Sequence, residues 1–162
     1  MVKDLLLIMS FLLLCLSSAL ALPSSEQTTS GGRYHALRLS PGQDLKVELT
    51  RYIKEHELKA CSVVTCVGSL TEANIRYANE PGGSLVEGPL EIVSLSGCGG
   101  LGKWHLHLSV ADKTGSMRGG HLMDGCLVRT TAEIVLVELP ELQFDRVHDP
   151  ESGYPELKVN RR

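Results

Sequence analysis

Three histidines have the side-chain type and spacing of a metal site. His105 and His107 are two residues apart in a stretch that alternates polar and apolar residues, as a β-strand does. Residues i and i+2 of a strand project from one face, about 7 Å apart, so both imidazoles can approach one ion. His121, which follows two glycines, is the candidate third ligand. Three imidazoles leave a fourth position open on zinc, the metal that we expect.

The turn between these segments decides whether His121 joins the other two histidines. We predict a three-residue hairpin loop over residues 113–115, with Gly115 in the left-handed conformation. Asp112 would then face Ser116, and His121 would lie directly opposite His107 on the same face of the sheet. A loop of two or four residues would put His121 on the other face.

Each candidate residue also has a structural interpretation. A histidine on a strand is often a hydrogen-bonded core residue, and we interpret His35, His56 and His148 as surface or structural residues because they lack such a pattern. Glu91 and Glu133 each precede an apolar run and are candidates for a general base or for a residue that orients a ligand. Solvated carboxylates at strand ends are the alternative for both.

The glycine-rich stretch before the histidines imitates a phosphate-binding loop. Gly97, Gly102 and Lys103 have the required spacing, but Trp104 stands where a Ser or Thr would bind Mg²⁺. A phosphate loop also opens a helix, whereas the period after Trp104 is that of a strand. We therefore exclude nucleotide binding and predict a flexible, hairpin-like connection over residues 97–102.

The N-terminus has the pattern of a secretory signal peptide. Residues 5–16 are almost all apolar, and Ala19 and Ala21 form a small-x-small cleavage pattern, so we predict a signal peptide over residues 1–21. An uncleaved N-terminal anchor is the alternative. We expect residues 22–32 to be a disordered mature N-terminus, and the protein to be secreted and free of the membrane after cleavage.

Net charge and cysteine content limit which partners the protein can bind and which disulfides it can form. The net charge of −3 does not change on cleavage, because the signal segment carries one base, Lys3, and one acid, Asp4. A mildly acidic domain is a poor binder of nucleic acid, so none is expected as a partner. Four cysteines remain in the mature chain: Cys61, Cys66, Cys98 and Cys126. The sequence allows two alternatives for them, buried free thiols or a disulfide.

Periodicity predicts a single α/β (α+β) domain with a mainly antiparallel sheet of about seven strands and one or two packed helices. A strand over residues 33–39 is followed by a helix that Asp44 caps and that ends near residues 56–58. Gly68 and Ser69 are predicted to turn the chain between two strands. The polar residues 145–162 are expected to end the domain.

Several of these stretches together resemble the PPC domain family, named for plants and prokaryotes. The matching stretches cover nearly all of residues 33–157, with residues 158–162 as a tail, and include Val67-Gly68-Ser69-Leu70, Gly88-Pro89-Leu90-Glu91-Ile92, His105-Leu106-His107, Gly119-Gly120-His121-Leu122, Thr131-Ala132-Glu133-Ile134 and Ser152-Gly153-Tyr154. The resemblance implies a compact α/β domain that assembles as a homotrimer. Prokaryotic-type members bind zinc through three histidines, which match His105, His107 and His121.

Three functional hypotheses follow from the residues and the resemblance. The first is a secreted, homotrimeric, zinc-binding domain with room for a small-molecule ligand. The second is a zinc-dependent enzyme, hydrolase or decarboxylase-like, acting on a small carbonyl or ester substrate, by analogy with the similar fold of acetolactate decarboxylase. The third is a DNA-associated protein like the plant members, which charge disfavours and for which this chain lacks the Arg-Gly-Arg-Pro hook.

Overall fold

Long strands with alternating burial form a six-stranded antiparallel sheet in the computed structural model, which describes residues 28–162. Its spatial order is β1-β6-β2-β3-β4-β5, and the end of β2 also pairs with β5, so that β2 to β5 close into a ring. Two further strands form a separate hairpin. Within the described residues the elements are β1 (Arg33–Leu39), α1 (Leu45–Glu55), β2 (Cys61–Arg76), β3 (Ser84–Gly100), β4 (Lys103–Ala111), β5 (Met117–Leu122), β6 (Leu127–Glu138), β7 (Leu142–His148) and β8 (Pro155–Arg161).

Helix α1 covers one face of this sheet. The Asp44 side chain accepts hydrogen bonds from the backbone N–H groups of Lys46 and Val47, which confirms the predicted N-cap. Leu45, Leu49 and Ile53 are fully buried, because the 3.6-residue period brings them onto one side of the helix. They pack into the main core with apolar residues of the sheet, among them Leu70, Leu108, Ile134 and Leu136.

Strand β2 is longer than predicted because Gly68 bends it without turning it. Gly68 has φ +144°, a conformation that other residues rarely adopt, and a Cβ at this position would clash with the carbonyl oxygen of Thr131. The pairings with β3 and β6 continue on both sides of this residue, with register shifts nearby. The predicted turn at Gly68 and Ser69 is therefore wrong: a bulge replaces it.

The glycine-rich segment before the histidines is also mostly strand. Strand β3 runs to Gly100, and only Leu101 and Gly102, with φ +49° and +87°, turn the chain into β4. Gly97 pairs with Leu106, and a Cβ on it would clash with the carbonyl oxygen of His105. The predicted flexible connection over residues 97–102 is wrong, because these glycines let two paired strands approach closely.

The C-terminal residues form two strands, β7 and β8, where the polar composition predicted a tail. Leu142 and Phe144 of β7 are buried in a small cluster with Ala60, against which Cys98 and Leu139 pack. The described residues thus contain eight strands and one helix, against the expected seven or so strands and one or two helices. The mainly antiparallel α+β class is confirmed.

The predicted signal peptide, residues 1–21, lies outside the described residues, as does most of the segment 22–32. Within residues 28–162, the helix is too short and too polar to cross a membrane.

Candidate metal centre

The hairpin formed by β4 and β5 has the register that the sequence predicts. His107 lies opposite His121, and Ala111 lies opposite Met117. The loop closes through a hydrogen bond from the Asp112 N–H to the Ser116 carbonyl oxygen, and Gly115 has φ +82°. The predicted three-residue loop and its left-handed glycine are therefore confirmed, and both strands present their histidines on one face.

The three imidazoles of this hairpin form one cluster. The candidate ligand nitrogens of His105, His107 and His121 all lie within 4.8 Å of one another. The rings of His105 and His121 are stacked with their centroids 5.1 Å apart, and the His107 ring stands edge-on to both. Each ring offers one nitrogen as a ligand to a common ion. The cluster could therefore hold a metal ion.

The cluster lies on the face of the sheet opposite helix α1, and β7 packs on another part of this face, beside Cys98. One row of register partners crosses the sheet from Tyr34 through Val137, Ser62 and Cys98 to His105. Register partners project from the same face, so the histidines share a face with Tyr34, which is exposed. His105 and His107 are themselves exposed, and His121 is half-buried. The site is therefore accessible to an ion or a small ligand.

Glycine next to His121 permits the last strand pairing of the ring. A Cβ on Gly120 would lie 2.5 Å from the carbonyl oxygen of Arg76 and 2.9 Å from Cγ2 of Ile75. Arg76 and Ile75 end β2 and pair with His121 and Leu122 of β5. The absence of a side chain at position 120 thus lets β5 reach β2 and brings Arg76 beside the cluster.

The surroundings of His105 favour its neutral, metal-binding form. Partial loss of solvent lowers the pKa of His105, and the positive charge of Arg146 lowers this pKa further, as do His107 and Arg76. The carboxylate of Glu156 has the opposite effect on the pKa. A histidine with a lowered pKa stays neutral at lower pH than an ordinary histidine does.

The same reasoning holds for His121. Partial burial lowers its pKa, and the charge of Arg76 is the next largest cause, followed by His107 and His105. The sequence patterns did not point to either arginine, Arg76 or Arg146. Alternation along β2 could not identify Arg76, because the pairing of β2 with β5 joins segments far apart in the chain. Arg146 lies in the segment expected to be a polar tail.

The candidate carboxylates stand apart from the cluster. Glu91 is the register partner of Ala111, four residues along β4 from His107, which corresponds to about 13 Å of strand. Glu133 lies on β6, which β2 and β3 separate from β4, and it pairs with Arg38 of β1. Both are exposed. The structure therefore brings His105, His107 and His121 together, and it does not bring Glu91 or Glu133 to them.

The remaining histidines of the described residues lie elsewhere. Nδ1 of His35 is 3.0 Å from the Tyr52 hydroxyl, and Nδ1 of His56 is 2.9 Å from the Tyr52 carbonyl oxygen. His148 is exposed at the end of β7. These positions agree with the structural and surface roles predicted for them.

The cysteines are free and mostly buried. Among the described residues Cys61, Cys66, Cys98 and Cys126 form no disulfide. Burial raises the pKa of Cys61 and Cys66 to about 12 and that of Cys126 to about 11, so these three thiols stay protonated at neutral pH. Metals bind the thiolate, so the buried cysteines are not competing ligands.

Fold and site together define a small α+β domain with an exposed three-histidine cluster. A family model described as the Plants and Prokaryotes Conserved (PCC) domain matches residues 26–140. The match covers well over half of the chain, which therefore belongs to this family, also written PPC.

A curated relative carries the same domain within a longer protein. The bifunctional protein GlmU of Synechococcus sp. (strain JA-2-3B'a(2-13)) is 49% identical over 127 residues, which cover 78% of this chain and 20% of that protein. The chain thus spans about a fifth of the length of the curated relatives it matches. The likeness concerns the shared domain.

Solved structures share the whole architecture. A hypothetical protein from Salmonella cholerae-suis superposes with a TM-score of 0.82 at 43% identity, covering 83% of this chain and 98% of that one. A metal-containing protein from Archaeoglobus fulgidus superposes with a TM-score of 0.67 at 25% identity, covering 82% and 96%. Other structures at 18% and 20% identity are named as candidate DNA-binding proteins, and at that identity the likeness shows the fold alone.

The pKa shifts at the cluster are open to direct measurement. In the metal-free protein, NMR titration of the imidazole C–H signals should give His105 and His121 pKa values below the usual value of about 6.5. Replacing Arg76 with glutamine removes a positive charge and should raise both pKa values. Arg118→Gln is the matched control, because Arg118 pairs with buried Val110 and faces the other side of β5. Values at or above 6.5 in the unmodified protein would contradict this electrostatic account.

Proposed function

We propose that this protein is a zinc-binding PPC domain whose ligands are His105, His107 and His121. The observation that carries the proposal is the convergence of the three imidazoles, with all ligand nitrogens within 4.8 Å of one another on an exposed sheet face. Neutral imidazole is a ligand that zinc prefers, and the lowered pKa of His105 and His121 favours that neutral form. The description of the Archaeoglobus fulgidus neighbour as metal-containing supports metal binding by this fold.

A zinc ion held by three histidines would keep one position open for water or for a ligand. When bound, the ion would act as a Lewis acid and lower the pKa of a bound water. The chain's own part would be to hold three donors on rigid paired strands and to leave them accessible. Binding of a metal and of a small ligand is therefore the direct role that we propose.

Elemental analysis of the untagged, purified protein tests the proposal. The unmodified protein should retain zinc at about one ion per chain after dialysis against trace zinc, whereas His105→Ala and His121→Ala should each lose most of it. The matched control is His56→Gln, because His56 is an exposed histidine on the helix side of the fold. Absence of stoichiometric metal in the unmodified protein, or equal retention in all variants, would refute the three-histidine site.

Exposure of His105 and His107 favours a second candidate, a zinc-dependent enzyme, hydrolase or decarboxylase-like, for a small carbonyl or ester substrate. A closed, structural zinc site would need no such access. Glu156 is a carboxylate whose charge acts on His105, so it replaces the more distant Glu91 and Glu133 as the candidate for proton transfer.

We also propose that the protein assembles as a homotrimer, as the family resemblance implies, and that its subunits meet around Tyr34 and Val67 on the sheet face opposite helix α1. Support comes from exposed apolar side chains on that face: Tyr34 is 71% exposed and Val67 is 53% exposed. The strand register places Tyr34 and Val67 on the same face. Tyr34 shares a face of β1 with Arg38, and Arg38 pairs with Glu133 of β6. Glu133 in turn pairs with Val67 of β2. A subunit contact would remove this apolar surface from water.

Light scattering coupled to gel filtration tests the assembly. The unmodified protein should elute with three times the mass of one chain, and Val67→Asp should shift it to lower mass, because a charge would be buried in the contact. Val47→Asp is the matched control, since Val47 is 47% exposed on helix α1, on the other side of the sheet. A monomeric unmodified protein would contradict the trimer, and equal trimers in both variants would place the contact elsewhere.

Export through the signal peptide of residues 1–21 remains part of the proposal. Its support is the apolar run over residues 5–16 and the Ala19-x-Ala21 pattern.

A further inference from the structure

Two arginines beside the histidines have no role in holding a metal. Arg76 is the register partner of His121, so the two side chains project from the same face of the sheet. Within residues 28–162, the one hydrogen bond that its side chain donates is long, 3.4 Å, from Nη1 to the Glu80 carbonyl oxygen. A guanidinium carries five N–H donors, so most of those of Arg76 remain available.

Arg146 approaches the cluster from the second sheet. Alternate residues of β7 share a face, and Leu142 and Phe144 lie buried where Cys98 packs against them. Cys98 is the register partner of His105. Arg146 is the next residue on that face of β7, two positions beyond Phe144, so the strand carries its guanidinium toward His105. Its charge is accordingly the largest electrostatic influence on that imidazole.

Neither guanidinium has a carboxylate partner within residues 28–162. The ion pairs found there use Arg33, Lys46 and Arg51, together with the Glu138 contact of His35. Glu156 is the one carboxylate whose charge is felt at His105 in this part of the chain, and its Oε1 accepts a hydrogen bond from the Ser152 hydroxyl. Two guanidinium groups beside the three imidazoles leave an excess of positive charge, which a divalent ion would increase.

We infer that Arg76 and Arg146 form an oxyanion subsite beside the three histidines, which takes the carboxylate or phosphate group of a small ligand. The inference rests on the proposed metal function, and it names the chemical class of the ligand for that site. Guanidinium groups bind planar carboxylates and phosphates through paired, charge-assisted hydrogen bonds. An anion bound there would offset the positive charge that the arginines and the metal bring together.

The cobalt(II) form of the full-length mature protein provides the test, because the visible spectrum of the bound ion reports changes close to it. Titration with acetate or with inorganic phosphate should change the spectrum of the unmodified protein, and acetamide, the neutral counterpart of acetate, should not. Arg76→Gln and Arg146→Gln should each raise the midpoint of the anion titration about tenfold, as loss of one charge-assisted hydrogen bond predicts. Arg118→Gln, on the other face of β5, should leave the midpoint unchanged.

The outcomes separate this inference from the proposed function. A change with acetate alone identifies a carboxylate ligand, and a change with phosphate alone identifies a phosphate ligand; both support the subsite. A cobalt-loaded protein whose spectrum neither anion alters, or whose arginine variants titrate like the unmodified protein, overturns it. Failure to bind cobalt overturns the metal proposal instead. In that case the anion titration is monitored in the metal-free protein through the NMR signals of the arginine Nε–H groups. Signals of Arg76 and Arg146 that do not shift would overturn the subsite.

Discussion

The carboxylate of Asp112 holds the tip of the β4–β5 hairpin by accepting hydrogen bonds from the backbone N–H groups of Thr114 and Ser116, at 2.8 and 3.1 Å. The Thr114 hydroxyl donates a third, and these bonds hold the pKa of Asp112 below its usual range. With Gly115 in the left-handed region, they specify a three-residue loop. A shift of one residue in the register of β5 against β4 would turn His121 to the opposite face and separate it from His105 and His107. The site therefore depends on this turn.

Close approach of backbones then completes the arrangement. Gly97 lets β3 pair tightly with the strand that carries His105, and Gly120 lets β5 reach the end of β2. The second contact is the one that brings Arg76 opposite His121. Glycines that look like a flexible connection in the sequence thus act as positions of tight strand packing, and the electrostatics of the cluster follow from them.

Local signals in the sequence were sufficient for the helix, for β1 and for the histidine hairpin. Asp44 at the N-cap, the apolar period of α1 and the residues of the Lys113–Gly115 loop each act within a few positions, so their consequences can be worked out from spacing. The missed features depend on contacts between distant segments. Position 68 must be glycine because the carbonyl oxygen of Thr131 leaves no room for a Cβ there. The β7–β8 hairpin is held by Leu142 and Phe144, which are buried in a cluster with Ala60. For the same reason Arg76 and Arg146 could not be placed beside the histidines.

We propose that three imidazoles, and no thiolate, hold the metal ion of this PPC domain. X-ray absorption at the zinc edge of the zinc-loaded protein tests it most directly, because nitrogen and sulfur ligands differ in distance. We expect a first shell of nitrogen or oxygen at about 2.0–2.1 Å with the outer-shell scattering of three imidazoles. A sulfur shell at about 2.3 Å, or fewer than three imidazoles, would contradict it.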